Sequence, residues 1–204
     1  MNSKSPAIIF ALGAALLAGS VQAADASWLV RARATHLSPA DKATPVGGVG
    51  AADRISVESR TIPELDISYF FTPNVAAELV LTYPQKHEVY LDGKSIGSFK
   101  HLPPTLLAQY HFHPAAPFSP YVGVGINVTR LSSVKLLGGA ADLDSNSVGL
   151  ALQAGIDYKL DQHWSVNLDL KRVNIRSDVV AAGAKISAIR VDPTMVSVGL
   201  GYRF

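Results

Sequence analysis

The chain has 204 residues, 48% of them hydrophobic and 17% charged, and a formal charge of +2. So even a balance excludes nucleic acid and other polyanions as the main partner. With no cysteine anywhere, disulfides, thiolate catalysis and cysteine-held zinc are excluded as well.

The first element in chain order is a leader. MNSKSPAIIFALGAALLAGSVQA carries one cation, Lys4, then an apolar run from Ala7 to Gly19, then small residues at Val21 and Ala23. That is the three-part layout of a bacterial secretory signal peptide, cleaved after Ala23. Its apolar core falls short of the ~20 residues of a spanning helix. Residues 1–23 are therefore expected to be removed, which leaves 24–204 as a single domain. No later apolar run reaches the ~18 residues of a membrane helix, so a helical membrane protein is excluded.

The rest of the chain is a series of segments with period-2 alternation, the signature of strands with one apolar and one polar face. SWLVRARAT sets Trp28, Val30, Ala32 and Ala34 against Leu29, Arg31, Arg33 and Thr35. PELDISYFF sets Leu65, Ile67, Tyr69 and Phe71 against Glu64, Asp66 and Ser68. In VAAELVLTY the polar side holds Glu78 and Thr82 with Ala76 and Val80, and in LLAQYHF it holds Gln109 and His111 with Leu107. YVGVGINVT opposes Val122, Val124, Ile126 and Val128 to Tyr121, Gly123, Gly125, Asn127 and Thr129. SVGLALQAGIDY, WSVNLDLK and the closing MVSVGLGYRF repeat the pattern, with Gln153, Asp157, Asn167, Asp169, Lys171 and Arg203 on the polar side.

Eight such strands, each near the ~9–11 residues that cross a bilayer when tilted, predict an all-β, eight-stranded antiparallel transmembrane β-barrel. The connections agree. Those after strands two, four and six are short (TPN, HPAAPFSP, DQH), whereas the other four run to more than a dozen residues. Short periplasmic turns and long extracellular loops are how outer-membrane barrels are built. A soluble eight-stranded barrel has the same periodicity but buries its apolar face inward. Two features favour the membrane: an apolar face almost free of charge, and glycines on the opposite face, where a narrow interior needs them. A lipid-facing Arg costs ~2–4 kcal/mol at mid-bilayer, so Arg31, Arg33 and Arg203 are expected in the lumen. There they meet Glu64, Asp66, Glu78, Asp157 and Asp169, with Lys171 completing a charge network. Tyr202 and Phe204 close the last strand at the periplasmic lipid boundary. A terminal Phe after alternating apolar residues resembles the recognition signal of the barrel-assembly machinery.

HLPPTLLAQYHF, PYVGVGINVT, AGIDYKLDQHW and RVDPTMVSVGLGYRF resemble marked segments of the OmpW family of outer-membrane proteins, in order along the chain after the leader. The resemblance implies passive uptake of small hydrophobic molecules, as in alkane-importing relatives. It implies a tunnel entered from outside, blocked partway by lumenal residues, with the solute leaving sideways into the membrane. The family constriction pairs an apolar residue with a Trp on strand seven. Those positions match Val80 and Lys171 here, and Lys171 departs from the pattern.

The loops add to the expectation of a greasy ligand. LSSVKLLGGAADL and VVAAGAKISAI place Leu136, Leu137, Val179, Val180, Ile186 and Ile189 in expected extracellular loops. Grouped apolar side chains there mark a binding surface or a contact, unless they pack against each other. The alternative function is a structural or interaction barrel, serving envelope integrity or acting as a receptor for phage, bacteriocin or host. An enzyme is not expected: His163-Trp164-Ser165 is the one tight His/Ser pairing, and it falls at a periplasmic turn. His111 and His113 share a strand face without a third clustered ligand, so neither metal nor cofactor is predicted. The expected partners are outer-membrane lipid, the barrel-assembly machinery and a small hydrophobic solute, for a monomeric barrel.

Overall fold

The computed structural model describes residues 27–45, 48–136, 141–143, 146–181 and 184–204. The expected leader, residues 1–23, and Leu137 lie outside them. Fifteen strands run in chain order. They begin with β1 (Ser27–Ser38), β2 (Lys42–Ala43), β3 (Ile55–Val57), β4 (Arg60–Phe70) and β5 (Val75–Leu81). Then come β6 (Gln85–Leu91), β7 (Lys94–Leu102), β8 (Thr105–His111), β9 (Phe118–Leu136) and β10 (Ala141–Leu143). The last five are β11 (Asn146–Lys159), β12 (Trp164–Val173), β13 (Arg176–Ala181), β14 (Ala184–Arg190) and β15 (Thr194–Arg203).

Eight of these close into an antiparallel barrel. Strand β1 pairs with both β4 and β15, so Ala32 meets Leu65 on one side and Leu200 on the other. The ring is completed by β4–β5, β5–β8, β8–β9, β9–β11, β11–β12 and β12–β15. Closure removes the sheet edge, so each of these eight barrel strands, including the last, is paired on both sides. The faces follow the alternation. Leu65, Val124, Leu152, Leu168 and Val198 are roughly half exposed on the outside, while Arg31, Asp66, Glu78, Asn127 and Lys171 are fully buried inside. An apolar exterior around a charged interior inverts the soluble barrel and fits a bilayer.

Short turns at residues 71–74, 112–117 and 160–163 mark the periplasmic end. Asp161 closes one of them by accepting the backbone N–H groups of His163 and Trp164, both at 2.7 Å. Rings gather at this end in edge-to-face or tilted contact: Trp28 with Tyr69, Tyr69 with Phe71, Tyr110 with Phe112, Phe118 with Tyr158, and Tyr202 with Phe204. The Phe204 N–H donates to the Trp28 carbonyl at 2.9 Å, which places the last residue in this girdle. Tyr83, just past the far end of β5, lies at the opposite end of the barrel.

The extracellular connections differ from the expectation of loops. Strand β9 runs on to Leu136, so LSSVK is strand, and VVA and AKISAI lie in the paired strands β13 and β14. The reason is continuity: β13, β14 and β2 prolong β12, β15 and β1 and keep their neighbours, with Arg176 opposite Arg190 and Arg190 opposite Lys42. Between the two tiers the chain bends at Asp41 and Asp192, both at positive φ. Their carboxylates accept the N–H groups of Val57 and Ile175 at 2.8 and 2.9 Å. Strands β6 and β7 form a second hairpin, in which burial lowers the His87 imidazole below its ordinary range.

Candidate functional site: the occluded lumen

Inward residues from all eight barrel strands stack in layers along the axis. Nearest the periplasm is a cavity of about 400 Å³, lined in part by Leu29, Ser119, Lys159, His163, Ser165 and Arg203. The Arg203 guanidinium lies 4.0 Å over the Phe70 ring. His111 is buried and stacks on Tyr121 with ring centroids 4.9 Å apart. His163 belongs to the turn and stacks on Tyr202. Among the described residues no three His, Cys, Asp or Glu side chains group as metal ligands.

Above the cavity comes the ionic layer. Arg31 forks onto Asp157 through Nε and Nη2 (3.1 and 2.6 Å) and donates from Nη1 to Glu78 at 2.9 Å and Ser68 at 3.0 Å. Arg33 donates to Asn167 at 2.7 Å, Tyr121 at 3.0 Å and Glu64 at 3.3 Å, with Asp66 Oδ2 also 2.7 Å from its Nη1. Tyr121 ties the layer together, since its hydroxyl accepts from Arg33 and donates to Asp169 at 2.7 Å. Gln153 bridges Glu78 and Asp169, both at 2.8 Å. Gly155 makes room for this hub: a Cβ there would sit 2.4 Å from the Tyr121 ring.

Lys171 ends the layer on the extracellular side. Its ammonium donates to Glu64 at 3.0 Å, while Asp169, the partner that strand spacing suggests, is 3.8 Å away. Glu78 pairs with the two arginines instead. Lys171 lies high in the lumen, near the extracellular end of a strand that starts at the periplasmic Trp164. Eight of the nine charged residues expected in the lumen are thus brought together, Arg203 lying apart over Phe70 at the cavity below, while Tyr121, Gln153 and Asn167 join the layer as well. Their polar-face position was the available signal. They carry no charge, so charge alone does not mark them as members of the network.

Directly above Lys171 the lumen turns apolar. Leu37, Val80, Leu107, Ala151, Val173, Ile175 and Met195 form one buried cluster. A crevice beside it, lined by Leu37, Ile62, Val80, Thr82, Pro103, Thr105 and Met195 among others, has a volume of only about 10 Å³. That is room for about one water, so the lumen is closed at this level. The wall beside the crevice is interrupted. Pairing of β5 stops at Val80–Thr105 on one side and Leu65–Leu81 on the other. Pro104 and Pro103 fall opposite Leu81 and Thr82, Pro63 lies two residues beyond Leu65 and Pro84 three beyond Leu81, and proline has no N–H to extend a ladder. Of the expected loop contacts, Val179 is buried and Val180 half-buried in β13, opposite Leu143 and Asp142, and the Leu136 backbone closes β9 against Gly97 and Ala141.

A closed eight-stranded barrel with an apolar exterior, a periplasmic aromatic girdle and a polar, occluded lumen defines a small outer-membrane barrel protein. The chain belongs to the OmpW family, whose model matches residues 24–204. It is 41% identical to the uncharacterized outer-membrane protein y4mB of Sinorhizobium fredii, over 87% of this chain and 80% of the relative. It is 32% identical to outer membrane protein W of Vibrio cholerae, over 88% and 89% of the two chains. Among solved structures it is similar to the outer membrane protein OprG of Pseudomonas aeruginosa. There the TM-score is 0.78 at 26% identity, covering 88% of this chain and 96% of that one.

Proposed function

We propose that the protein is a channel for passive uptake of small hydrophobic molecules, which enter from outside and leave sideways into the membrane. One observation carries the reading: an apolar layer rests on a sealed ionic layer, beside a stretch of wall whose ladder is interrupted. An apolar solute reaching Val80 and Leu107 meets buried ammonium and carboxylate groups below, where water is excluded and no apolar path continues. Moving outward between β5 and β8 needs few backbone hydrogen bonds to break. The leader at 1–23, a non-catalytic role, and handling of the Tyr202–Phe204 terminus by the barrel-assembly machinery belong to the same reading.

The test compares entry of a hydrophobic fluorophore into cells with and without the barrel, alongside ion conductance in planar bilayers. Faster fluorophore entry with negligible conductance is the expected result. Equal entry with and without the protein would instead favour a structural or interaction barrel, a reading to which the sealed lumen also lends support.

A further inference from the structure

The outer wall carries a row of like charges that the folding of the barrel does not require. Arg176 of β13 is registered directly opposite Arg190 of β14, and Arg190 directly opposite Lys42 of β2. Cross-strand partners share a face, so three cations stand side by side over about 10 Å, two strand spacings. Like charges directly opposite each other destabilise a sheet. All three are exposed, and among the described residues neither Arg176 nor Arg190 has an ion-pair partner. Two carboxylates lie nearby: Asp53 is 3.7 Å from Lys42, with its other oxygen held by the Ala43 N–H, and Asp178 stands one row further along the same face of β13, opposite Ala188.

The row also borders a cavity. A cleft of about 230 Å³ is lined by Lys42 and Arg190 together with Ala43, Thr44, Pro45, Ala52, Asp53 and Ala188. Its position on the barrel indicates what fills it. On this face the row Leu170–Val196–His36 is the last with apolar members, and Arg172–Thr194–Ser38 is the first that is wholly polar. The cations follow four residues later on each strand, which is about 10 Å higher for strands tilted by ~40°. They have the same parity as lipid-facing Leu170 and Val196, and of their described neighbours along the strands Ile175 and Ala43 are buried and Val191 and Asp41 half-buried. Three cations on the outer face, just above the hydrocarbon, lie at the level of lipid headgroups.

We propose that Arg176, Arg190 and Lys42 form a binding site for the phosphate of a lipid headgroup in the outer leaflet. The dianionic phosphate sits in the Lys42–Arg190 cleft and offsets the repulsion along the row, while the acyl chains run down the wall past Leu170 and Val196. A guanidinium suits this task because its planar fork can give two parallel N–H bonds to one phosphate.

The test uses the full-length barrel in phosphatidylcholine vesicles doped with a diphosphorylated acyl-disaccharide glycolipid. Retention of the glycolipid on the purified protein is measured, with its dephosphorylated form as control. The native barrel should retain the phosphorylated form about tenfold better than does Arg176→Gln/Arg190→Gln. The dephosphorylated form should be held equally poorly by both, and Arg190→Lys, which keeps the charge but loses the fork, should retain only part of the binding. Lys42→Gln, on a two-residue strand, gives a second variant whose folding is little at risk. Heat-modifiable mobility checks that each variant is a closed barrel. Equal retention by native and variant barrels, or of both glycolipid forms, overturns the proposal. Competition by inorganic phosphate at the concentration of the lipid overturns the lipid source and leaves a free-anion site.

Discussion

Lys171 on β12 reaches Glu64 on β4 across the lumen at 3.0 Å, and both side chains are shielded from solvent. Breaking a buried pair by removing one partner costs ~3–5 kcal/mol, because the other charge stays behind unpaired. Lys171→Met should therefore lower the stability of the folded barrel by about that amount, read from urea titrations in lipid. It leaves Glu64 and Asp169 without their ammonium, which draws water and cations into the layer, so planar-bilayer conductance should rise with cation selectivity. Adding Glu64→Gln should restore part of both. Unchanged conductance in Lys171→Met would show that the seal lies elsewhere.

The same layer holds more carboxylates than cations: Glu64, Asp66, Glu78, Asp157 and Asp169 against Arg31, Arg33 and Lys171. Asp66 is the least well held, since neither of its oxygens has a hydrogen-bond partner of good geometry despite the nearby Arg33. Asp66→Asn should then be neutral or stabilising, with any loss below ~1 kcal/mol. Glu78→Gln weakens the contacts to both arginines and should cost ~3–5 kcal/mol. The paired titrations check the order; a larger loss for Asp66→Asn contradicts it.

The barrel was legible because a bilayer on one side and a packed lumen on the other force strict alternation, and each strand from Trp28 to Phe204 obeys it. Above the membrane the contrast fades. LSSVK continues β9, yet nothing in its composition separates a wet strand from a loop. Which residues share the lumen was also legible, but not who pairs with whom. Arg31 is registered opposite Asp66 and Arg33 opposite Glu64, yet the Arg31 guanidinium goes to Glu78 and Asp157. An arginine reaches farther than one strand spacing, so in a narrow lumen register does not choose the partner. For the same reason Lys171 passes over Asp169, two residues away on its own strand, for Glu64 three strands along the wall.

Leu152 tests the assignment of faces. It lies mid-strand on β11, half exposed to the bilayer, while its neighbour Ala151 is fully buried in the apolar cluster. Leu152→Arg should cost ~2–4 kcal/mol in lipid. Ala151→Leu should fail by overpacking, at ~1–3 kcal/mol. Equal stability of Leu152→Arg and native protein, in lipid of matched thickness, would invalidate the faces.

Phe204 is held by its N–H to Trp28 and by the Tyr202 ring, centroids 5.0 Å apart. Loss of a single girdle ring barely touches the closed barrel, since β15 remains paired on both sides. Deleting Phe204 should therefore leave refolding into detergent near normal while lowering the amount assembled in cells. That contrast, measured by heat-modifiable mobility in both settings, separates an assembly signal from a structural anchor. An equal loss in both points to the anchor.

The proposed exit depends on the wall beside Val80, and two kinds of change act on it in opposite senses. Pro103→Val/Pro104→Val supplies two N–H donors and β-branched side chains where the β5–β8 ladder now stops. Pairing can then extend beyond Val80–Thr105 toward Thr82, so the barrel should gain stability or keep it. Uptake of the hydrophobic fluorophore should fall by about tenfold, as expected if opening the wall now costs roughly one or two more backbone hydrogen bonds. Val80→Ala enlarges the crevice from the inside and should speed uptake while costing ~1–2 kcal/mol of stability. Conductance should stay low in both, because the ionic layer beneath is untouched. If the proline replacements leave uptake unchanged while Lys171→Met abolishes it, the solute crosses the ionic layer and the sideways route is wrong.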